Sequence, residues 1–428
     1  MKMLRKIIYS VGILLRNKKV FDNLNFLMKS QKWSIDSLRE YQINKLKELV
    51  FHAYRNCEFY RDQFGRNGVC PQDIQSLADL KRLPITTKED LLSNSAKIQI
   101  NNYPEKLFYS ETSGSSGKPL VFFRNADWDA WHRASVYRGY SWYGVKSWEK
   151  NGYFWGYNLA FKRRLRVRLL DYLQNRFRLF SYNDQEIDKF IRKLRRASYL
   201  EGYSSMIYEV ARRVNEKEIK PRFNLKMIKG TSEKIFDKYQ EEVEKAFGKK
   251  IISEYGAAET GIIAFECPMG KMHVNMETVI VEEENNEIII TNLVSKSFPV
   301  IRYKLGDYVE LDEDVKCDCG MQRPLIKEVL GRVGKVIYGS REEYPSLTLY
   351  YVFKNLAIEH GKILNYQATQ RTKGILEVAI ENSLHDREKE LIVKEFKKYF
   401  KDDLDVQIKD DVHLRSIDRK KTDFISHL

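Results

Sequence analysis

The feature that most restricts the fold is an alternation of short β-rich runs with helical stretches between residues 105 and 330. The β-rich runs cover residues 120–123, 251–253, 279–282 and 287–291, and the helical stretches include residues 186–197 and 236–247. Runs of β-branched and aromatic residues separated by segments of helical periodicity predict strands that alternate with helices. The expected fold class is therefore α/β, with helices packed on mixed sheets in several layers.

The segments on either side of this region have different patterns. Residues 21–66 carry apolar side chains at helical spacing, which predicts N-terminal helices. Beyond Gly331 the pattern predicts a helix at 346–358, strands at 364–369 and 375–381, a helix at 387–400 and a strand at 405–409. For a chain of 428 residues, we expect a large domain with a small β subdomain over residues 1–331 and a small α+β domain over 332–428.

The charge balance and the cysteine content narrow the partners and the compartment. The chain has 74 Lys and Arg against 59 Asp and Glu, a net charge of +15. An excess of this size favours an anionic partner such as a nucleotide, a nucleic acid, CoA or a lipid headgroup. Five cysteines are too few to form the disulfide framework of a secreted protein this long, so we expect a reducing, cytoplasmic compartment.

The N-terminus contains an almost entirely apolar segment, residues 7–15, between two groups of basic residues. A secretory signal would continue into small residues, but here Arg16, Asn17, Lys18 and Lys19 follow. The segment fits a short amphipathic helix that either packs on the domain or lies on a membrane surface. Peripheral contact with the inner face of a membrane therefore stays an alternative to a purely cytoplasmic location.

The strongest local motif is the segment 109–119, which is rich in serine and glycine. Hydroxyl groups and exposed backbone N–H groups can surround phosphate oxygens, and Lys118 adds a positive charge. The residues that would do so are Thr112, Ser113, Gly114, Ser115, Ser116, Gly117 and Lys118. The spacing is not that of a Walker A loop. A surface turn without a ligand is the alternative interpretation.

The segment resembles the phosphate loop of the adenylate-forming superfamily, which includes acyl-CoA synthetases and adenylation domains. Three further segments resemble motifs of that superfamily in the expected order: 253–259 (SEYGAAE), 302–307 (RYKLGD) and 331–335 (GRVGK). With 202–204 and 232–233, they indicate the phenylacetate–CoA ligase-like branch, particularly its capsular polysaccharide biosynthesis members. The resemblance extends from about residue 35 to the C-terminus.

The resemblance implies ATP-dependent formation of an acyl-adenylate from a carboxylic acid, with release of pyrophosphate. It implies that Thr112 and the loop 113–118 hold phosphates, that Glu259 binds Mg²⁺, and that Asp307 accepts hydrogen bonds from the ribose hydroxyls. The nucleotide would also contact Ser232, Glu233, Tyr255, Gly256 and Arg332. The acceptor of the second step would be CoA or an amino group on a sugar, in surface polysaccharide biosynthesis.

The same resemblance implies a catalytic lysine in the small C-terminal domain and a hinge between the two domains. Lys420 aligns with the lysine, with Lys421 as the alternative, and Arg419 stands where glycine is usual. Lys335 stands at the hinge position, where aspartate is common. In the family the small domain rotates about this point between the two half-reactions.

Four residues have the side chains of a zinc site. Cys267 and His273 are separated by five residues, and Cys317 and Cys319 by one. Four nitrogen and sulfur ligands suit a tetrahedral structural Zn²⁺, although reduced cysteines near turns fit the spacing as well. The ligase-like branch has a similar arrangement, which favours zinc.

The substrate pocket and the basic stretch are less specific. By the resemblance, Tyr203 and Ala257 contact the acid, with His132 as a weaker candidate. Residues 162–196 contain 12 basic and four acidic residues, which fits a solvated face, an anionic acceptor or a membrane surface. The rival interpretations are a non-catalytic nucleotide-binding or scaffold protein and a basic nucleic-acid-binding protein, but no base-reading module is present.

Overall fold

The computed structural model describes residues 2–112, 119–154, 161–179, 184–217, 223–232, 235–312, 316–332, 336–362, 364–412, 414 and 424–428. The α-helices of these ranges are α1 Lys2–Asn17, α2 Lys19–Ser30, α3 Ile35–Asn56, α4 Glu58–Arg66, α5 Lys88–Ser93, α6 Ser95–Ile98, α7 Ala126–Trp142, α8 Phe161–Leu173, α9 Asp184–Leu194, α10 Ser204–Glu216, α11 Asp237–Phe247, α12 Leu347–His360 and α13 Asp386–Phe400. Two 3₁₀ turns cover Pro71–Asp73 and Ala78–Arg82.

The strands are short except for one. They are β1 Leu107–Glu111, β2 Val121–Asn125, β3 Asn151–Phe154, β4 Arg176–Arg178, β5 Tyr199–Tyr203, β6 Met227–Thr231, β7 Ile251–Ala257, β8 Gly261–Glu266, β9 Met272–Val274, β10 Val279–Glu284, β11 Glu287–Asn292, β12 Val300–Asp312, β13 Leu325–Arg332, β14 Val336–Tyr338, β15 Glu343–Pro345, β16 Tyr366–Thr372, β17 Ile375–Ile380, β18 Asp405–Lys409 and β19 Phe424–Ser426.

The described strands form one large mixed sheet and three small ones. Across the large sheet the order is β10, β11, β12, β13, β9, β8, β7, β6, β5, β3 and β4. The strands from β7 to β4 pair in parallel, and those from β7 to β10 pair antiparallel. Strands β5 and β6 are buried along almost their whole length, as strands covered on both faces are.

Helices cover the large sheet through two extensive apolar cores. Side chains of α3 and α4 pack with those of β10 to β12, and side chains of α9, α10 and α11 pack with those of β3, β5 and β6. Helix α3 is capped at its N-terminus by Ser34, whose side chain accepts a hydrogen bond from the Ser37 N–H (3.2 Å). Its buried residues recur at helical spacing, as an amphipathic core helix requires.

The C-terminal segment has its own apolar core. Side chains from Ile337 to Phe424 pack between α12, α13 and the sheet of order β18, β17, β16, β19. This pattern accords with the small α+β unit expected beyond Gly331, and the exact division at residue 331 stays a prediction. In the part of the chain that the structure describes, no helix has the length and apolar composition needed to cross a membrane.

The predicted α/β class is confirmed, and the predicted helices and strands agree closely with the structure. The strand predicted at 405–409 has those bounds, and most of the other predicted elements differ by one to three residues at an end. The strand predicted at 120–123 begins one residue later and ends two residues later in the structure, as β2 Val121–Asn125. The sequence pattern did not reveal β19, which pairs in parallel with β16 after a long separation in the chain.

Two buried charge clusters tie these layers together. In the first, Lys229 on β6 lies between Glu254 on β7 (2.8 Å) and Glu201 on β5 (3.4 Å), and Arg176 donates to Glu201 (3.0 Å). Burial lowers the pKa of Lys229, but the two carboxylates outweigh it and raise that pKa. Burial raises the pKa of Glu201, but Lys229 and Arg176 outweigh it and lower that pKa.

The second cluster surrounds Glu277, which is fully buried. Arg138 on α7 donates to it at 2.8 Å, Arg323 donates at 2.6 and 2.7 Å, and the Ser30 hydroxyl at the end of α2 also donates to it. Burial raises the pKa of Glu277, and the two guanidinium groups lower it well below its ordinary value. A carboxylate in this position stays ionised.

We expect Lys229→Met to lower the free energy of unfolding by about 3–5 kcal/mol at pH 7, because it leaves Glu201 and Glu254 buried without their shared cation. Urea denaturation measures this. The difference from wild type should shrink as the pH falls below about 4.3, since protonation then removes the charge of Glu201 that Lys229 stabilises.

Lys226→Met is the matched control. The Lys226 ammonium pairs with Glu149 (2.7 Å) near the surface, where an ion pair contributes at most about 1 kcal/mol. Equal losses of stability in the two variants would contradict the importance of the buried cluster.

Candidate active site at the carboxyl edge of the large sheet

Parallel pairing places three of the predicted site segments at one edge of the large sheet. Tyr203 at the end of β5 is paired with Thr231 at the end of β6, and Thr231 is paired with Glu254 on β7. Tyr203 ends β5, Ser232 directly follows β6, and Tyr255 lies two residues before the end of β7. All three are therefore at the same edge of the sheet. Ligands of open α/β sheets bind at the carboxyl ends of such strands.

The bulge next to Tyr255 on β7 depends on a glycine. The pairing of β7 with β8 shifts register between Tyr255 and Gly256, which marks a bulge. A Cβ atom on Gly256 would lie 2.3 Å from the Gly261 carbonyl oxygen, so a larger residue cannot occupy this position without moving the backbone. The bulge directs the side chains of Tyr255 and Ala257, which are both half-buried.

Two distant motifs meet in a direct contact. The Tyr255 hydroxyl donates a hydrogen bond to Asp307 Oδ2 (2.8 Å), across 52 residues of chain. Asp307 on β12 is paired with Arg332 on β13, so the third motif begins at the same place. The sequence prediction that these three segments share one site agrees with this arrangement, although the roles of the individual residues stay predictions.

Glu259 lies in the turn between β7 and β8 and is 6% exposed. The Tyr303 hydroxyl donates to Glu259 Oε1 (3.0 Å), and the Asn292 side-chain amide donates to the Glu259 carbonyl oxygen (3.3 Å). Tyr303 belongs to the segment 302–307, so this motif contacts both Tyr255 and Glu259. The sequence prediction gave Tyr303 no role, because its hydroxyl partner is set by the three-dimensional structure.

Thr112 closes the base of the serine- and glycine-rich loop. Its N–H donates to the Leu120 carbonyl (3.0 Å), and its Oγ1 accepts from the Leu120 N–H (2.9 Å). Phe122 on β2 stacks on Trp128, with ring centroids 5.5 Å apart. Trp128 in turn lies close to Gly261, two residues beyond Glu259. The base of the loop and the Glu259 turn are therefore connected by packing.

Ser232 has an unusual backbone conformation. Its φ angle is +66°, in the left-handed region that non-glycine residues seldom adopt. Such a conformation costs on the order of 1–3 kcal/mol and is found most often at functional sites. Ser232 immediately follows β6 at the carboxyl edge of the sheet, where the adenine contact was predicted.

Helix α7 contributes two polar groups to the neighbourhood of Gly261. Trp128 Nε1 and His132 Nδ1 lie 3.6 and 4.0 Å from the position that a Cβ on Gly261 would occupy. Both atoms are buried, and neither has a hydrogen-bond partner among the described residues. Burial, with Arg124 and Arg133, lowers the pKa of His132 to about 3, so the imidazole is neutral at pH 7. The sequence prediction included His132 as a weak candidate and did not single out Trp128.

The four predicted zinc ligands form one compact cluster. Their ligand atoms all lie within 4.8 Å of one another, with Cys267 Sγ 3.7 Å from Cys317 Sγ and His273 Nε2 3.2 Å from Cys319 Sγ. All five cysteines of the chain are described, and none is in a disulfide. Two zinc–sulfur bonds of about 2.3 Å at a tetrahedral angle would separate the sulfur atoms by roughly 3.8 Å. The cluster therefore fits a tetrahedral metal.

Several predicted residues lie outside the described part of the chain. They are Ser113, Gly114, Ser115, Ser116, Gly117, Lys118, Glu233, Lys335, Lys420 and Lys421. Of Arg332 only the backbone is described. The structure therefore brings together Thr112, Ser232, Tyr203, Tyr255, Gly256, Ala257, Glu259, Asp307 and the Arg332 backbone along one region of the sheet and its packed neighbours.

Comparison with known proteins agrees with this geometry. The chain is 26% identical over 320 residues to Protein CapK of Staphylococcus aureus, which covers 69% of this chain and 68% of that protein. It is 39% identical over 111 residues to the phenylacetate-coenzyme A ligase of Aromatoleum evansii, a match that spans only 24% of this chain and 23% of that ligase. No family model matches the chain.

Among solved structures, a 2-hydroxyisobutyryl-CoA ligase in its postadenylation state superposes with a TM-score of 0.73. The superposition covers 93% of this chain and 91% of the ligase at 16% sequence identity. Fold and sequence together define the chain as an adenylate-forming ligase. Within that superfamily, the sequence is similar to proteins of the phenylacetate–CoA ligase-like branch.

Proposed function

We propose that this protein activates a carboxylic acid with ATP, forming an acyl-adenylate and pyrophosphate, and then transfers the acyl group to CoA or to an amino or sugar acceptor. In the first step a carboxylate oxygen bonds to the α-phosphorus, and the bond from that phosphorus to the pyrophosphate oxygen breaks. The contact between Tyr255 and Asp307 carries this proposal, because it joins the two motifs that would bind the nucleoside.

The residues at the carboxyl edge suit a nucleoside. Asp307 is a carboxylate on a long, well-paired strand, and a carboxylate can accept hydrogen bonds from two neighbouring hydroxyl groups. The ring of Tyr255 would lie against the adenine, with Ser232 and Glu233 beside it. The backbone of Arg332 is paired with that of Asp307, and we assign Arg332 to the ribose and phosphate region on the basis of the sequence motif.

Glu259 is the proposed ligand of Mg²⁺. An oxygen ligand is what this cation requires, and the nearly buried position next to Tyr303 fixes the carboxylate. The ion would supply positive charge beside the triphosphate. Thr112 and the loop 113–118 would hold the β- and γ-phosphates, since Thr112 is clasped to Leu120 at the base of that loop.

The acid would bind beyond the turn at Ala257 and Gly261. Tyr203 and Ala257 would border this region, and the unpartnered ring nitrogens of Trp128 and His132 would supply polar groups there. Buried polar groups without partners are uncommon and favour a ligand that hydrogen-bonds to them.

Carboxylate-dependent exchange of labelled pyrophosphate into ATP tests the first half-reaction. Across a panel of acids, we expect at least one to support exchange by the wild-type protein. Glu259→Gln should reduce the exchange rate by about 10²-fold or more, because a preorganised charge is lost beside the reacting phosphates. Asp307→Asn should mainly raise the KM for ATP, by about tenfold, through weakened ribose hydrogen bonds.

Glu310→Gln is the matched control. Glu310 lies on β12 like Asp307, but it is exposed and paired with Lys327 (3.0 Å). It should leave exchange unchanged. Absence of exchange with every acid, together with tight ATP binding, would instead favour a non-catalytic nucleotide-binding or scaffold protein.

Lys420 is the proposed catalytic lysine, and Lys421 is the alternative. We expect Lys420→Ala to reduce acyl-adenylate formation by about 10²–10³-fold with little change in ATP affinity, because the ammonium group would act on charge that develops in the transition state. Lys421→Ala measures the alternative directly. Unchanged pyrophosphate release in the Lys420 variant would reject this assignment.

The second half-reaction would use a different arrangement of the domain expected over residues 332–428, with Lys335 as the hinge. Rotation of a domain about a few residues lets one site complete two reactions. Adding CoA or amines to an active acid would identify the acceptor. The likeness to the capsular polysaccharide members favours a role in surface polysaccharide synthesis, at the cytoplasmic side of a membrane. Nucleic acid is not a proposed partner.

We also propose that Cys267, His273, Cys317 and Cys319 hold a structural Zn²⁺. Four protein ligands would leave no open position, so the metal would stabilise the fold and take no part in the chemistry. It would join Cys267 in the loop after β8 and His273 on β9 to the loop before β13, whose first strand residue, Leu325, is paired with His273.

Metal analysis of purified protein should therefore find about one zinc per chain, and Cys319→Ser should reduce it below about half an equivalent and lower the melting temperature. Cys70→Ser is the control, because Cys70 is exposed and lies far from the cluster in the sequence. Wild-type protein without zinc, unchanged in stability by a chelator, would contradict the zinc site.

A further inference from the structure

We propose that helices α1 and α8 together form a surface that rests on an anionic lipid bilayer. We call this surface the α1–α8 face. It consists of Met3, Leu4, Ile7, Val11, Leu14 and Leu15 on α1. On α8 it consists of Leu165, Leu169, Leu170, Tyr172 and Leu173. The proposal is independent of the reaction that the protein catalyses.

Helix α1 presents its apolar side to solvent. Its exposed apolar residues recur at intervals of three and four, so they share one side of the helix. Leu15 is 84% exposed, whereas Ile13 on the other side is buried with Val20 and Ala130. An amphipathic helix in a globular protein normally turns its apolar side to the core, and α1 does the reverse.

Helix α8 continues this surface. Leu169 is 61% exposed, and Leu165 and Tyr172 lie on the same side of the helix at intervals of three and four. The two helices contact each other, and Arg5 of α1 donates to the Tyr172 carbonyl (2.9 Å) in the last turn of α8. A contiguous apolar surface of this extent marks an interaction site.

The charges of helices α1 and α8 indicate which kind of partner binds the α1–α8 face. The two helices contain nine basic residues, Lys2, Arg5, Lys6, Arg16, Lys162, Arg163, Arg164, Arg166 and Arg168, and a single acidic residue, Asp171. Asp171 is buried and paired with Arg178 (2.9 Å), so it adds no negative charge to the surface. Basic residues beside an exposed apolar helix face are the pattern of a helix that lies on anionic lipid.

The alternative to lipid is a second copy of the chain, bound through its own α1–α8 face. Two α1–α8 faces against each other would bring together two helix pairs in which basic residues greatly outnumber acidic ones, which opposes association. Anionic lipid instead offers apolar chains to the leucines and negative headgroups to the basic residues. No described helix can cross the membrane, so the helices would lie in the interface.

Vesicle flotation of the full chain tests the proposal. We expect the wild-type protein to bind vesicles of phosphatidylcholine with about one third phosphatidylglycerol at least about tenfold more tightly than vesicles of phosphatidylcholine alone. High salt should weaken the binding. The variant Leu4→Ser/Leu15→Ser/Leu169→Ser should bind the anionic vesicles at least about tenfold less tightly, since it removes three exposed leucines that would enter the lipid.

Phe51→Ser is the matched control, because Phe51 is an exposed apolar residue of α3 outside the α1–α8 face. It should bind vesicles like the wild type, and both variants should keep the wild-type melting temperature. No binding to anionic vesicles, or equal binding to both kinds, would overturn the proposal. So would a dimer in sedimentation that the triple variant dissociates while vesicles bind neither protein.

Discussion

The arrangement of the site depends on one buried carboxylate, Glu277. Moving a carboxylate from water into the protein interior is costly unless charged hydrogen-bond donors surround it. Here the donors come from three separate elements: Arg138 on α7, Arg323 before β13 and Ser30 at the end of α2. Because each donor is needed, the positions of these elements are fixed relative to one another. Helix α7 carries Trp128 and His132 to Gly261, and the segment of Arg323 carries Cys317 and Cys319.

The cluster around Lys229 has the same effect below the carboxyl edge. Lys229 joins β5 to β7 through Glu201 and Glu254, and Glu254 is the residue immediately before Tyr255. The strand that directs Tyr255 towards Asp307 is therefore held by an ion pair as well as by backbone hydrogen bonds. The polar residues near the site divide into two groups. One group fixes the strands from inside the protein, and the other projects from the edge where a ligand can reach it.

Local patterns were enough to predict many of the helices and some of the strands, because each depends on a few neighbouring residues. The helix of residues 387–400 and the strand of residues 405–409 are examples. The candidate site residues came instead from the resemblance of four motifs, and their roles stay predictions. The contacts of Arg302 show what local patterns cannot provide. This residue opens the 302–307 motif, yet its side chain pairs with Glu282 and donates to the carbonyls of Lys81 and Leu83. Its role is set by which distant segments the fold brings to it, as is the pairing of β19 with β16.

The charges of the candidate site explain why the predicted cations are essential to the proposed reaction. The candidate site includes two acidic side chains, Glu259 in the turn between β7 and β8 and Asp307 on β12, and the proposed substrates are also anions. Left alone, this arrangement would repel ATP, since like charges in a partly buried cleft are poorly screened. In the proposed reaction, positive charge would come from Mg²⁺ on Glu259 and from the basic residues of the sequence motifs, Lys118, Arg332 and Lys420. A site in which acidic residues bind the nucleoside and the metal, while lysines and the metal offset the phosphates, can bring two anions together.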